Sequence, residues 1–421
     1  MSEADTALAA PTAPAERYPF PDILRGIAIA GILFVNIWMM GSVPGIEWDP
    51  RLQGWSALDQ AVWWLQVVTI EGTMRGLLEL LFGAGFILLA DRGITRGRYY
   101  RRTLLLILFG LVHGFLLLWP GDILLIYGLA GLFLWPLRHL EPQQMIGAGI
   151  GGLIMLTGLG LGATVGIANT RAFAEGAAAA GAPASDERLA AWRAYETALT
   201  PDPASHERAK AARHGDLSEN WHYKLGVAAE MNTPMSARIW LIEPLAMMLI
   251  GAALMRLGVM VGDAPVGIFR RLLLVGYGLG IPIGILEWGD LAWDAFQEAS
   301  PMLLWSDQIG RTAMTLGHLG LAGWLWHSGI ASRMLSAFAP MGRMALTNYI
   351  SQTLVCQWIL FPGFGLGLYA RLSLSQLWGV AIVIITAQLV VSALWLHRFR
   401  FGPLEWLWRW GSYGRRPRLL K

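Results

Sequence analysis

A histidine and an aspartate in an otherwise apolar stretch are the side chains best suited to acid–base chemistry. His113 and Asp122 lie in LFGLVHGFLLLWPGDILLIYGL, on either side of the Pro120–Gly121 turn. In a two-helix hairpin these side chains would converge, and the carboxylate would orient the imidazole so that its other nitrogen acts as a base. The same spacing also fits a buried hydrogen bond that only holds the hairpin together.

Charged residues repeat every four positions in IEGTMRGLLELLFGAGF. Glu71, Arg75 and Glu79 therefore share one helix face. Arg75 is suited to binding an anionic group or stabilising an oxyanion, and an intrahelical ion pair is the alternative. Glu243 opens a later apolar run beside Pro244, and the proline alone does not explain it. We predict that Glu71, Arg75 and Glu243 bind substrate.

The first apolar run, DILRGIAIAGILFVNIWMM, carries an arginine at its start and an asparagine near its end. Arg25 would meet phosphate groups at the membrane surface, or it would simply anchor the helix in the cytoplasm. Asn36 is either a substrate donor or a hydrogen bond between helices. We predict a cofactor-binding role for Arg25 and a substrate-binding role for Asn36.

A polar stripe begins a later run, GRMALTNYISQTLV. It comprises Arg343, Thr347, Asn348, Ser351 and Gln352. A single polar residue could simply hydrogen-bond to a neighbouring helix, but five in so short a segment would be costly to bury in lipid. We therefore expect this helix to line a wet cavity. Asn348 and Gln352 are predicted to bind substrate, and Arg343 is predicted to bind the cofactor.

The composition excludes an ordinary water-soluble protein. Of 421 residues, 14% are charged and 55% are hydrophobic, whereas soluble chains carry about 25% charged residues. A single cysteine, Cys356, excludes an internal disulfide. The formal net charge of +3 forms no basic face, so nucleic acid is not an expected partner.

Several familiar catalytic motifs are absent from the sequence. It has no GxxxxGK(S/T) phosphate loop, no HExxH and no Cys/His cluster at metal-ligand spacing. We therefore expect no metal site and no ATP-driven pump subunit. A GxSxG elbow is also missing, and no paired pattern of broken helices indicates an ion-coupled transporter.

The apolar runs predict an all-α, polytopic integral membrane helix bundle of about ten transmembrane helices. Runs long enough to cross the hydrocarbon occur at 22–40, 72–91, 103–120, 122–138, 144–167, 239–258, 268–288, 309–329, 343–363 and 375–397. With ten spans, the arginine-rich loops share one side of the membrane and the acidic loops share the other. Both termini are therefore predicted to be cytoplasmic.

The remaining segments complete the domain organisation. We expect a disordered tail at 1–16 with no signal peptide, the first five spans at 17–167, and the last five at 239–397. The stretch 55–70, with three Trp and one polar stripe, predicts an interfacial or re-entrant helix. The Ala-rich segment 168–238 predicts an extracytoplasmic helical loop, and 398–421 a basic cytoplasmic tail.

These motifs resemble the YeiB-like bacterial membrane proteins, filed as domain of unknown function 418. The resemblance lies, in family order, in DILRGIAIAGILFVNI (22–37), RGLLELLFGAGF (75–86), LFGLVHGFLLLWPGDILLIYGLAG (108–131), GRMALTNYISQTLV (342–355) and FRFGPLEWLWR (399–409). The family looks like a branch of the transmembrane acyltransferase superfamily, which includes lysosomal heparan N-acetyltransferase. The resemblance implies transfer of an acyl group, usually acetyl from cytoplasmic acetyl-CoA, to a hydroxyl or amine of an acceptor.

The resemblance also implies roles for individual residues. The heparan enzyme has an asparagine that aligns with Asn36 and an important histidine in the following loop. Here that loop reads IWMMGSVPGIEWD and has no histidine, so His113 is the nearest substitute. In this interpretation His113 is the general base or transient acyl acceptor. Arg75 and Asn36 polarise the thioester carbonyl, and Arg25, Arg343 and the basic tail receive the CoA phosphates.

The resulting hypothesis is an acyltransferase of the bacterial inner membrane. Its partners would be the lipid bilayer, acyl-CoA and an extracytoplasmic glycan or lipid acceptor, and a homodimer is left open. The main alternative is a transporter or flippase of a small amphiphilic molecule, which would use the same cavity without covalent chemistry. A scaffold or sensor that has lost catalysis is a third reading.

Overall fold

The computed structural model describes residues 18–183, 186–199, 203–231, 241–293, 296, 302–329 and 331–421. Within these residues the protein is an all-α membrane helix bundle with no strand. Five helical segments are long and apolar enough to cross a membrane. The total of ten spans and the cytoplasmic termini stay predictions, and the tail predicted at 1–16 lies outside the described residues.

Six helices lie within the described residues 18–183. They are α1 (Pro19–Gly41), α2 (Ala57–Thr69), α3 (Thr73–Asp91), α4 (Arg96–Leu111), α5 (Leu124–Leu137) and α6 (Pro142–Ala179). The predicted interfacial segment 55–70 corresponds to α2, which Ser56 and Asp59 begin with a reciprocal capping box. Helix α6 continues well beyond the predicted end of the fifth span at 167, because its Ala-rich extension favours helix.

Three helices lie in the described part of the long segment 168–238, after α6. These are α7 (Glu187–Leu199), α8 (Pro203–His214) and α9 (Leu217–Met231), in the stretch for which an extracytoplasmic helical loop is predicted. Together α8 and α9 form what we call the cap. The Gly363 amide donates to the Arg213 carbonyl at 2.7 Å, and a His214 ring nitrogen lies 3.0 Å from the Tyr369 carbonyl oxygen. The cap is therefore held directly on the bundle.

Eight further helices lie within the part of the chain that the structure describes from residue 241 onward. They are α10 (Ile242–Arg256), α11 (Val266–Trp293), α12 (Leu303–Ser328), α13 (Ser332–Ser336), α14 (Ala339–Arg343), α15 (Ala345–Thr353), α16 (Leu374–Arg398) and α17 (Pro403–Tyr413). Helices α4 and α15 each continue into a π-helical turn, at Val112–Leu116 and Leu354–Leu360 respectively. Such turns are frequent at functional sites.

Glycines set the closest helix contact near the charged residues of α3. A Cβ at Gly83 would overlap the Met248 carbonyl, and one at Gly251 would overlap the Leu80 carbonyl. Helices α3 and α10 therefore cross backbone to backbone, which brings the charged starts of both helices together. Gly85, two residues farther along α3, takes no part in this contact, since a Cβ there would meet no atom within 4 Å.

This crossing predicts that alanine changes the stability of the bundle differently at two glycines. Gly251→Ala should destabilise the bundle by about 1–3 kcal/mol, because the added methyl group meets a backbone carbonyl that has little room to move. Gly85→Ala, in open space, should be neutral or slightly stabilising. Thermal unfolding of the two variants in the same detergent checks this, and equal midpoints would contradict the proposed contact.

Candidate functional site

The histidine and the aspartate singled out in the sequence form a hydrogen bond. His113 Nδ1 lies 2.6 Å from Asp122 Oδ1. His113 belongs to the π-helical turn after α4, and Asp122 stands just before α5. The second carboxylate oxygen, Oδ2, accepts from the Leu125 amide at 2.7 Å. The aspartate is thus fixed by the helix start that it caps, and it in turn fixes the ring.

The other ring nitrogen of His113 contacts a hydroxyl that the sequence interpretation missed. Thr353 Oγ1 lies 2.8 Å from His113 Nε2, and Tyr349, one turn earlier on α15, packs edge-on against the imidazole. Both His113 and Thr353 are fully buried. The arrangement Asp122–His113–Thr353 is that of a carboxylate, a base and a hydroxyl in line.

This order of groups determines what the imidazole can do. When Nδ1–H donates its hydrogen bond to the Asp122 carboxylate, Nε2 carries the lone pair and accepts a hydrogen bond from the Thr353 hydroxyl. A hydroxyl held by a base that a third group orients is the arrangement of an activated nucleophile. It can accept an acyl group or pass a proton.

The backbone around this triad is irregular. The π-helical turns of α4 and α15 lie on either side of it, and Leu118 has a positive φ of 60°. Left-handed backbone at a leucine costs about 1–3 kcal/mol and is concentrated at active sites and ligand clamps. The Trp358 indole donates to the Leu117 carbonyl at 3.1 Å and so holds the strained segment in place.

Arg75 belongs to a second charged group, contributed by three helices. Its Nη2 donates to Glu243 Oε2 at 3.0 Å, and its Nε lies 3.6 Å from Glu79 Oε1. Arg311 Nη2 is 2.8 Å from Glu243 Oε1, so the Glu243 carboxylate is shared by two guanidinium groups. Glu79 is fully buried, whereas the Arg75 side chain retains 34% of its accessible surface.

Two members of this group were not identified from the sequence. Arg311 and Asp307 lie one turn apart on α12, with Arg311 Nη2 3.2 Å from Asp307 Oδ2. No local pattern marks Arg311, because its main partner, Glu243, comes from a distant segment. Glu71, the third predicted member, lies between α2 and α3, where its amide donates to the Gln66 carbonyl at 2.8 Å.

Glu243 is expected to be the key residue for the stability of this group. Glu243→Ala would leave Arg311, 10% exposed, without its shared carboxylate, and should cost about 3 kcal/mol. We take the low end of the usual range because Arg75 is partly solvated. The matched control is Asp91→Asn, which breaks the exposed pair with Arg256 and should cost less than about 1 kcal/mol. Chemical denaturation of both variants measures the difference, and similar losses would contradict it.

A tyrosine links the triad to the charged group. Tyr127 Oη on α5 donates to the Arg75 carbonyl at 3.0 Å, and α5 is the helix that Asp122 caps. At the same end of α5, the Ile123 amide lies 3.3 Å from Tyr349 Oη. The two sites are thus connected through one short helix.

The two arginines predicted to bind the cofactor, Arg25 and Arg343, lie near the N-terminal end of α1. A Cβ on Gly342 would overlap the Asp22 carbonyl, so α14 contacts the first turn of α1 directly. Arg25 Nη1 donates to Asp22 Oδ1 at 2.7 Å, and Arg343 Nη2 is 3.5 Å from the Arg400 carbonyl oxygen. The Arg343 guanidinium therefore lies beside the basic tail.

The C-terminal tail is anchored at that end. Glu405 on α17 accepts hydrogen bonds from the Thr347 amide and hydroxyl, at 3.0 and 2.6 Å. Burial raises the pKa of Glu405 above its ordinary value. Farther along α17, the Arg102 guanidinium lies 3.6 Å from the centre of the Trp408 ring.

The three predicted amide residues have different surroundings. Asn348 Nδ2 donates to Ser392 Oγ at 2.9 Å, and Gln352 Nε2 donates to Gln388 Oε1 at 3.0 Å. These are hydrogen bonds between α15 and α16, and a substrate-binding role for the two residues stays a prediction. The Asn36 amide, in contrast, has no hydrogen-bond partner among the residues that the structure describes.

The chain is similar to bacterial proteins of unestablished function. The family model described as "Protein of unknown function (DUF418)" matches residues 254–415. Uncharacterized protein YeiB of Escherichia coli is 31% identical over 401 residues, covering 94% of this chain and 96% of that protein. Uncharacterized protein YxaH of Bacillus subtilis is 29% identical over 419 residues, covering 96% of each chain. No solved structure matches significantly.

Proposed function

This chain belongs to the YeiB-like, DUF418 family, and we propose that it is a membrane-embedded acyltransferase. It would move an acyl group, acetyl in the simplest case, from cytoplasmic acyl-CoA to a hydroxyl or amine of an extracytoplasmic glycan, lipid or small molecule. The observation that carries the proposal is the buried line Asp122–His113–Thr353. Because the similar proteins are bacterial, the bacterial inner membrane is the proposed location.

In the proposed reaction, Thr353 accepts the acyl group first. Its Oγ1 attacks the thioester carbonyl while His113 Nε2 takes the hydroxyl proton. The carbon–sulfur bond breaks, and His113 returns the proton to the departing CoA thiolate. The acceptor hydroxyl or amine then attacks the Thr353 ester, passing its proton through His113 to Thr353 Oγ1, so the protein is regenerated. Asp122 stabilises the imidazolium in both halves.

The donor would enter from the cytoplasmic end of α1. Arg25, Arg343 and the basic tail offer cations for the CoA phosphates. Asn36 follows Arg25 by eleven residues, which is about 16 Å along the helix axis at 1.5 Å per residue. An extended acyl arm alongside α1 would therefore pass from the arginines toward the depth of Asn36.

Asn36 and Arg75 are the proposed groups that polarise the thioester carbonyl. The Asn36 amide, although 92% buried by residue area, lacks a partner within the described chain and so is free to donate to an oxyanion. Arg75 keeps a third of its side-chain surface accessible while Glu243 holds it. Tyr127 connects its backbone to the helix that Asp122 caps.

The test uses purified protein in nanodiscs with radiolabelled acetyl-CoA. Membranes from a strain lacking the protein supply the unidentified acceptor. We expect release of free CoA thiol together with label in extractable glycans or lipids. Absence of both, with a protein that is monodisperse and folded, would overturn the proposed activity. Movement of an amphiphile without thiol release would favour transport instead.

A further inference from the structure

Two basic side chains are buried beneath the cap. Arg213 at the end of α8 is 1% exposed, and Lys224 in the middle of α9 is 7% exposed. Helix α9 packs against the π-helical turn that carries His113. The cap therefore places positive charge in the interior, on the predicted extracytoplasmic side of the triad.

Arg213 is surrounded by neutral partners. Its guanidinium donates to Asn220 Oδ1 and, at 2.8 Å, to Gln357 Oε1. It also lies 5.0 Å from the centre of the Tyr369 ring. Its Nε is buried without a partner. Among the described residues no carboxylate forms an ion pair with it, which is unusual for a buried arginine.

The buried ammonium group of Lys224 has even fewer polar partners than the Arg213 guanidinium. Its ammonium lies 6.0 Å from the centre of the Trp119 ring, and within the described residues it forms no ion pair or hydrogen bond. Burial, followed by the charge of Arg213, lowers its pKa well below the ordinary value. Two buried cations repel each other, and without a carboxylate partner their burial costs free energy unless another anion neutralises them.

We propose that Arg213 and Lys224 form a binding site for a phosphate monoester beneath the cap. A phosphate monoester carries about −1.5 to −2 charges at neutral pH and three strong acceptor oxygens. That charge matches one guanidinium and one ammonium, and the amides of Asn220 and Gln357 add neutral polar groups around the arginine. Trp119, whose indole nitrogen is buried without a partner, supplies a further donor.

The site is adjacent to the triad. The Trp119 amide donates to the His113 carbonyl at 3.2 Å, and Gln357 follows Thr353 by about one turn of α15. A ligand held by its phosphate would have its remaining atoms next to the Thr353 hydroxyl. As the acceptor subsite this inference rests on the proposed function, whereas phosphate binding itself does not require acyl transfer.

Binding is tested without acyl-CoA, using glycerol 3-phosphate and protein in phosphatidylcholine nanodiscs. We expect saturable binding by calorimetry, weakened at least tenfold in Lys224→Met and unchanged in Lys210→Met, whose lysine is exposed on the cap. Uncharged glycerol is the matched ligand control. Nanodiscs containing phosphatidic acid form a second arm, in which loss of glycerol 3-phosphate binding by competition would identify a lipid source of the phosphate.

A second readout separates a ligand site from a structural lysine. Lys224→Met should raise the unfolding temperature of the ligand-free protein, because an apolar side chain of similar length removes the buried ammonium. A lower unfolding temperature, or equal phosphate affinity in wild type and variant, would overturn the site. So would the absence of binding by both phosphate sources. Acyl transfer that persists alongside such a result leaves the proposed activity standing, so the two failures are distinguishable.

Discussion

Replacing His113 by glutamine should lower the rate of acyl transfer by about 10²–10⁴-fold, the usual contribution of a general base. Glutamine can occupy the site and hydrogen-bond, but it cannot take the proton of Thr353 Oγ1, which lies 2.8 Å from the imidazole. Acyl-CoA affinity should change little, because the arginines proposed to bind the CoA phosphates lie elsewhere. Thiol release at saturating acetyl-CoA measures the effect.

His318 provides the matched control for this change. It is a half-buried histidine whose ring nitrogens, like those of His113, both have polar partners. These are Tyr277 Oη at 2.8 Å and the Thr69 carbonyl oxygen at 2.6 Å. Its second partner is a backbone carbonyl and not a carboxylate, so His318 lacks the arrangement found at His113. His318→Gln should therefore retain the wild-type rate of acyl transfer. Equal activity of the two glutamine variants would remove His113 from the role of base.

Thr353→Val should abolish acylation of the protein and slow turnover by at least about 10²-fold. Valine keeps the shape of the fully buried threonine and removes only the oxygen that is proposed to receive the acyl group. Thr353→Ser should restore a measurable rate, since the hydroxyl returns. Rapid quenching after mixing with acetyl-CoA, followed by peptide mass spectrometry, should find an acetyl ester on Thr353 in wild type.

Thr315 is the comparison for the valine substitution. It is equally buried, and its hydroxyl donates to backbone carbonyls of Thr73 and Arg311. Thr315→Val should therefore affect stability alone and leave turnover intact. Wild-type turnover in Thr353→Val would show that the hydroxyl only supports the histidine, and direct transfer to the acceptor would replace the two-step scheme.

The sequence placed His113 and Asp122 near one turn, where the side chains of a two-helix hairpin can converge. It left their contact open, because contact depends on how the helices rotate; in the structure the two side chains lie 2.6 Å apart. Thr353 was missed because its position depends on the same kind of information. On α15, Asn348 and Gln352 define one face and Tyr349 and Thr353 the next, about 100° away. Local sequence does not say which face meets His113.

Long-range partners explain the other differences. Arg311 lies near the start of a predicted span, yet its carboxylate partner Glu243 comes from the start of α10. Likewise, the helices of the segment 168–238 follow from its Ala-rich composition. Their docking on residues 363–369 depends on the Arg213 carbonyl and His214, and neither residue has any pattern that marks a contact. The helices were predictable from the sequence, whereas the contacts between residues of distant segments were not.

The most direct measurement is the coupled appearance of free CoA thiol and an acetylated membrane product with the purified protein. Wild type and His318→Gln should produce both in equal amounts, whereas His113→Gln and Thr353→Val should produce neither above background. Product formation that is independent of His113, or no thiol release from folded wild type supplied with membranes, would contradict an acyltransferase built on Asp122, His113 and Thr353.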